Sequence, residues 1–196
     1  MDVPIKSASG ITVMPVETKF ISDRVIFLEG EINQDSAMKA CKTILFLAMT
    51  DKDKPIDVII NSPGGEVNAG LMLVDILSSC TAEIHTWCWS ISYSMAALLF
   101  ATGKKRFMLP HAELMLHQPL IANHIGGNVS AIKAVSDSLI TTSRRLNEIL
   151  AECTGKSVEK IEEITRTETY FSAEEAVEFG LADEITTIDR LIRKDV

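Results

Sequence analysis

Apolar positions along the chain follow two periods that alternate. Short runs rich in Val, Ile and Leu at 25–28, 57–60, 84–89, 106–109 and 114–117 read as strands. Between them the spacing lengthens. After 25–28, Ala37, Cys41, Ile44, Leu45 and Ala48 recur at helical intervals behind the N-cap candidates Asn33 and Asp35. After 57–60, Ser62-Pro63-Gly64-Gly65 breaks the chain before a helix whose apolar face includes Val67, Leu71 and Val74. Strands separated by helices in this way predict an α/β fold with crossover helices.

From 128 to 153, Ile132, Val135, Leu139, Leu146, Ile149, Leu150 and Cys153 repeat every three or four residues, which predicts one long amphipathic helix. At ~1.5 Å per residue it reaches roughly 35–40 Å, more than a compact domain of this size needs. Part of its apolar stripe is therefore expected to pack on another subunit. Ser172-Ala-Glu-Glu175 is a capping-box signature and Gly180 a C-terminal stop. Residues 190–196 read as a short helical tail, and residues 1–14, with little periodic signal, as a mobile N-terminal segment. With no linker, low-complexity tract or internal repeat, 1–196 reads as a single domain whose body runs from about residue 15 to about 190.

Composition changes the picture mainly by exclusion. Hydrophobic residues make up 46% of the 196 and charged ones 23%, enough to bury a substantial core. A net charge of -8 excludes nucleic acid and anionic membranes as expected partners, since both require a basic surface. Cys41, Cys80, Cys88 and Cys153 show neither CxxC nor zinc-ligand spacing, so reduced thiols and no metal are expected. Residues 1–6 carry no apolar leader, and the longest apolar run, Met95–Ala101, is too short to cross a bilayer. Cytoplasmic residence is the expectation.

Candidate chemistry gathers at three points. Ser94 lies where the run 84–89 gives way to the helix-forming Met95-Ala-Ala-Leu-Leu-Phe-Ala101, so its hydroxyl sits at a helix N-terminus. There a free N–H such as that of Met95 can hold an oxyanion. Ser62-Pro63-Gly64-Gly65 follows a strand at the carboxyl edge, where open α/β sheets place their sites, and its adjacent glycines let backbone approach a ligand. It has neither GxGxxG nor GKS/GKT, which argues against a nucleotide. His117 ends the run 114–117, where an imidazole, with its ordinary pKa of about 6.5, is suited to act as a base. Each feature has a plainer reading alone: an N-cap serine, a strand-to-helix turn, a satisfied histidine. His85, His111 and His124 lack a comparable setting and are expected to be structural or exposed.

Taken together, Ile60-Asn-Ser-Pro-Gly-Gly65, Ser94-Met-Ala-Ala97, Leu109-Pro110 and His117-Gln-Pro119 resemble, in order and spacing, the motifs of the Clp protease proteolytic subunit family, ClpP. The similarity runs from about Phe20 to Thr186 and includes Arg145-Leu-Asn-Glu-Ile149 and Ser172-Ala-Glu-Glu-Ala176. The resemblance implies an α/β crotonase-like ClpP fold, with stacked small sheets, crossover helices and a protruding helical handle. It implies a serine endopeptidase that cleaves unfolded proteins and peptides through an acyl-enzyme, with no cofactor. Heptameric rings stacked as a tetradecamer, fed by an ATP-dependent AAA+ unfoldase, are implied as well. On this mapping Ser94 is the nucleophile, His117 the base, and the N–H groups of Gly65 and Met95 the oxyanion hole.

The chain also departs from the family's pattern. Where the family has its catalytic aspartate, this chain has Glu168, longer by one methylene. The neighbouring Asp-Arg pair is replaced by Arg166 and Thr167, and Ser90-Ile-Ser-Tyr93 precedes the nucleophile in place of Gly-Gln-Ala-Ala. These departures motivate an alternative expectation: a catalytically weak subunit that acts structurally in a mixed ring with an active ClpP paralogue. A third reading, acyl-CoA chemistry on the same fold, is disfavoured because the polar groups at the motif positions are Ser94 and His117 rather than glutamates.

Overall fold

The run Ile56-Asp-Val-Ile-Ile60 is buried on both faces, as only the interior of a covered sheet allows. The computed structural model describes residues 1–7, 10–121 and 126–192, positions 6 and 7 by backbone alone. Its strands are β1 (Asp2–Ser7), β2 (Gly10–Pro15), β3 (Val25–Glu29), β4 (Ile56–Ser62), β5 (Ile84–Tyr93), β6 (Lys105–Met108), β7 (Glu113–Leu116), β8 (Thr169–Ser172) and β9 (Glu184–Ile185). Its helices are α1 (Val16–Ser22), α2 (Gln34–Thr50), α3 (Val67–Ser79), α4 (Met95–Ala101), α5 (Val129–Thr154), α6 (Val158–Thr165), α7 (Ala173–Phe179) and α8 (Asp189–Ile192).

Seven strands join in one sheet of order β3-β4-β5-β6-β9, parallel throughout, with a branch at β5. The first half of β5 pairs with β6 (His85↔Lys105 to Cys88↔Met108). The second half pairs with β7 (Ile91↔Glu113 to Tyr93↔Met115), and β7 carries β8 antiparallel to itself. A register shift between Ile60 and Ser62 marks where β5 changes partner. The small sheets implied by the resemblance are thus branches joined through β5. The mixed α/β architecture with crossover helices is the one expected.

Local signals explain the helices. Asn33, not Asp35, caps α2: its side chain accepts from the amides of Asp35 and Ser36, and Ser36 answers the Asn33 amide to complete a capping box. Ala37, Ala40, Cys41, Ile44 and Leu47 form its buried face, whereas Leu45, placed on the stripe by spacing, is 47% exposed. The Ser172–Glu175 capping box and the left-handed Gly180 bound α7 as expected. The long helix α5 buries only Asn147, Leu150 and Ala151, all near its C-terminus. Its N-terminal half stands clear of the other described residues with Val129, Ile132, Val135 and Ile140 exposed, the protruding handle anticipated above. All four cysteines are free thiols, and no helix among the described residues is long and apolar enough to cross a membrane.

Several elements lie beyond the sequence reading. The first fifteen residues, for which the sequence predicts no element, contain the β1–β2 hairpin, paired from Asp2↔Pro15 to Ser7↔Gly10. α1, α6, β8 and β9 are also absent from the sequence reading. Of the predicted tail, α8 covers Asp189–Ile192, and 193–196 lie outside the described residues.

Arg106 on β6 ties the far side of the sheet together. Its guanidinium donates to the carbonyls of Cys153 (3.1 Å) and Gly180 (2.7 Å) and to both carboxylate oxygens of Asp183 (3.1 and 2.6 Å). Burial pushes the Asp183 carboxyl up, but the hydrogen bonds and charge of Arg106 outweigh it and hold its pKa below the usual value. Arg106→Ala is expected to destabilise the fold by about 2–3 kcal/mol at neutral pH, read from the urea midpoint at fixed protein concentration. Most of that loss comes from the two carbonyls, since Asp183 is 41% exposed and its pairing is screened. A carboxylate with a depressed pKa stabilises above its unfolded pKa and loses that contribution as pH falls through the folded one. The gap between wild type and variant should therefore narrow below about pH 4.

Candidate active site

Ser94 joins β5 to α4 in a conformation few residues adopt, φ 55° and ψ -122°. Such a turn costs on the order of 1–3 kcal/mol and persists only where its surroundings enforce it. Here they do. The Ser94 amide donates to Met115 O on β7 (2.8 Å), every residue of α4 is buried, and Gly64 packs beneath the turn. A Cβ at position 64 would lie 2.7 Å from Tyr93 O and 2.8 Å from Ser94 Cβ, so only glycine fits. Although Ser94 stands at the N-cap position, its hydroxyl caps nothing. It is 2.7 Å from His117 Nε2 instead.

His117 directly follows β7, half-buried, with its ring brought over the end of β5. With Nε2 unprotonated, the Ser94 hydroxyl donates to it and the imidazole proton resides on Nδ1. This is the geometry that a general base requires of its nucleophile.

Two backbone amides are candidates to hold an oxyanion: a Cβ at Gly64, next to Gly65, would lie 3.1 Å from Met95 N. Ile32 donates to Gly64 O (2.8 Å) and accepts from Glu66 N (2.7 Å), so the intervening Gly65 turns its own N–H away from Ile32. Met95 is the first residue of α4, where an amide has no partner within the helix. Among the described residues neither N–H donates to a protein acceptor, which leaves both available to an oxyanion.

Glu168 is not in hydrogen-bonding contact with His117. It is exposed, and its Oε2 accepts from the Tyr170 hydroxyl (3.1 Å). Its position is nevertheless informative. The β7–β8 register runs Glu113↔Ser172, Leu114↔Phe171, Met115↔Tyr170, Leu116↔Thr169, where the pairing ends; His117 and Glu168 are the next residue past that last pair on either side. One further step of pairing would hold their Cβ atoms about 4.5–5.5 Å apart, within reach of a glutamate side chain.

Tyr93, next to the nucleophile, turns away from it. Its hydroxyl donates to the Glu113 carboxylate and its ring meets Tyr170 edge to face, centroids 5.8 Å apart. The bond to Glu113, with some help from burial, pushes the phenol up to about 12, so it stays neutral. A small cavity of about 30 Å³ opens beside the dyad, lined by Ser94, His117 and the apolar Leu98, Leu116, Leu146 and Leu150. Larger hollows lie elsewhere, such as one of about 580 Å³ between α2 and α3, but that one is lined by no serine–histidine pair. Of the other histidines, His85 is engaged with Glu83 (2.7 Å), His111 is exposed, and His124 lies outside the described residues.

Sequence reasoning placed Ser94, His117, Gly65 and Met95, which the structure brings together, and Glu168, which it sets nearby but bonded elsewhere. It missed the Tyr93–Glu113 and Tyr170–Glu168 contacts. Their signal was the alternation of Glu113, Met115 and His117 along one strand, readable only once β8 is known to pair with it. The family model described as Clp protease matches residues 9–189 of the chain.

Proposed function

The chain belongs to the Clp protease family, a ClpP-type protease in general, and on that premise we propose that it is a serine endopeptidase working through an acyl-enzyme. The observation that carries this reading is the 2.7 Å contact between Ser94 Oγ and His117 Nε2 at a strained turn flanked by two unclaimed amides. Ser94 Oγ attacks the scissile carbonyl while His117 Nε2 takes its proton. The resulting oxyanion accepts from Gly65 N–H and Met95 N–H. On collapse, His117 gives its proton to the departing amine and Ser94 is left as an ester. A water activated by the same imidazole then hydrolyses that ester. Glu168 is assigned to orient His117 and support the imidazolium. The cavity beside the dyad, about 30 Å³, has room for no more than a small apolar group next to the scissile bond.

The exposed N-terminal half of α5 supports self-association into the family's stacked heptameric rings, with a AAA+ unfoldase delivering unfolded chains. We place this single-domain subunit in the cytoplasm, where four free thiols remain reduced. A second reading is favoured by one observation, the bonding of Glu168 to Tyr170 rather than His117. On that reading the subunit is catalytically weak and acts structurally in a mixed ring with an active ClpP paralogue.

Covalent labelling by a fluorophosphonate separates the two. The purified protein is expected to gain one adduct per chain, mapped to Ser94 by peptide mass spectrometry, and Glu168→Ala to slow labelling by about 10- to 100-fold. An adduct on any other residue refutes the assignment of Ser94. No adduct on this chain, together with co-elution with an active ClpP paralogue and a higher peptidase activity of the mixture than of the paralogue alone, establishes the mixed-ring reading.

A further inference from the structure

We propose that Tyr170 is a positioning residue that withholds Glu168 from His117, so that the triad closes only when the Tyr170–Glu168 hydrogen bond opens. The inference rests on the Ser94–His117–Glu168 reading and deepens it. In the described state the nucleophile and base are already joined at 2.7 Å, yet the acid assigned to the base gives its Oε2 to a phenol 3.1 Å away. Glu168 therefore stands between two candidate partners, Tyr170 two residues further along its own segment and His117 just past the last β7–β8 pair.

The mounting of Tyr170 makes the competition a defined one. Its ring meets Tyr93 edge to face, and Tyr93 is itself pinned by its hydroxyl to Glu113 on β7. Thr169, between Glu168 and Tyr170, donates its hydroxyl to Ile164 O (2.6 Å), fixing β8 where it leaves α6. The phenol is thus held in place while the Glu168 side chain retains its freedom. The hydrogen bond to Glu168 raises the Tyr170 pKa, which keeps the phenol a donor through the neutral range.

Other charged groups around the pair are already engaged. On β7, Glu113 accepts from Tyr93. Lys156 lies over the Phe179 ring, and Lys160 on α6 pairs with Glu163. On α7, Glu175 closes the capping box, and Glu178 carries the same charge as Glu168. Arg166, two residues before Glu168, is an exposed cation on the same segment, and His117 is the donor that the β7–β8 register brings toward Glu168 from the other strand. The Tyr170–Glu168 bond is open to solvent, Tyr170 being 48% exposed, so water weakens it and exchange with His117 is within reach of ordinary side-chain motion.

The test is nuclear magnetic resonance of the assembled protein carrying ¹⁵N-labelled histidine, comparing wild type with Tyr170→Phe, Glu168→Gln and the double variant. In Tyr170→Phe the His117 Nδ1–H signal should move downfield, as an imidazole N–H given to a carboxylate does, and its titration midpoint should rise by about one pH unit. Neither change should occur when Glu168→Gln is also present. An unchanged or falling midpoint in Tyr170→Phe overturns the proposal, and so does a rise that persists without the Glu168 carboxylate. Tyr170→Phe removes one exposed hydroxyl, so the variant folds. The measurement requires no turnover, so an unreactive Ser94 would sink the peptidase reading while leaving this result to be read on its own.

Discussion

Replacing Ser94 by alanine is expected to lower peptide turnover by a factor on the order of 10⁵–10⁶ and to abolish fluorophosphonate labelling. The size of the loss follows from what Ser94 does in the proposed chemistry: with no hydroxyl there is no acyl-enzyme, and the oxyanion amides are left with only a bound substrate to polarise. The fold should hardly notice. Alanine retains the Cβ that rests on Gly64, the Ser94 hydroxyl caps no helix, and the one contact removed is that to His117. A melting temperature within a few degrees of wild type, alongside lost turnover, is the joint result expected. Turnover that survives in purified Ser94→Ala protein would show that the nucleophile lies elsewhere.

Gly65→Ala should produce the second-largest effect, for a different reason. At φ +151° a Cβ would come within 2.1 Å of Ile32 O and 2.8 Å of Ile32 N, both rigid backbone atoms. The segment must move to accept it, and the amide that moves is one of the two assigned to the oxyanion. Loss of one such donor is worth about 10²–10³ in kcat. The misfit should lower stability by about 2–4 kcal/mol besides. Steady-state kinetics separate the two consequences. A fall in kcat with KM little changed marks an interaction made in the transition state. A rise in KM alone would mean that the 62–65 segment only holds substrate.

How far the sequence reveals these residues depends on how local their signals are. Ser94, Gly65 and Met95 sit at strand-to-helix junctions, and such junctions announce themselves: an apolar run, a break, then helix formers. His117 is legible as the end of an apolar strand. Glu168 becomes a candidate only through the resemblance, because its relation to His117 depends on the pairing of β7 with β8. That pairing links residues more than fifty positions apart, and β8 is only four residues long. β9, at two residues, is shorter still, and it exists because β6 offers an edge for it to complete. The β1–β2 pair carries only brief alternation, Val3/Ile5 and Ile11/Val13, too short to read as strands, and nearly all of β2 is exposed. Leu45 shows the opposite limit: its spacing matches the buried stripe of α2, yet it lies just off the face that meets the sheet.

Strand β5 has a mechanical consequence of its own. Its residues 85–88 are laced to β6 and its residues 91–93 to β7, while Trp89 and Ser90 between them have a partner on neither. What crosses that gap is side chain rather than ladder: the Cys88 thiol donates to Glu113 O on β7 (3.7 Å) and accepts from the Ser92 hydroxyl (3.2 Å), and the Thr86 hydroxyl donates to Phe100 O on α4 (2.7 Å). A displacement arriving from the β6–β9 edge therefore reaches the neighbourhood of the nucleophile through these bonds and through β4, which pairs with both halves. A displacement of β7 reaches Ser94 itself, which hangs from Met115 through its amide.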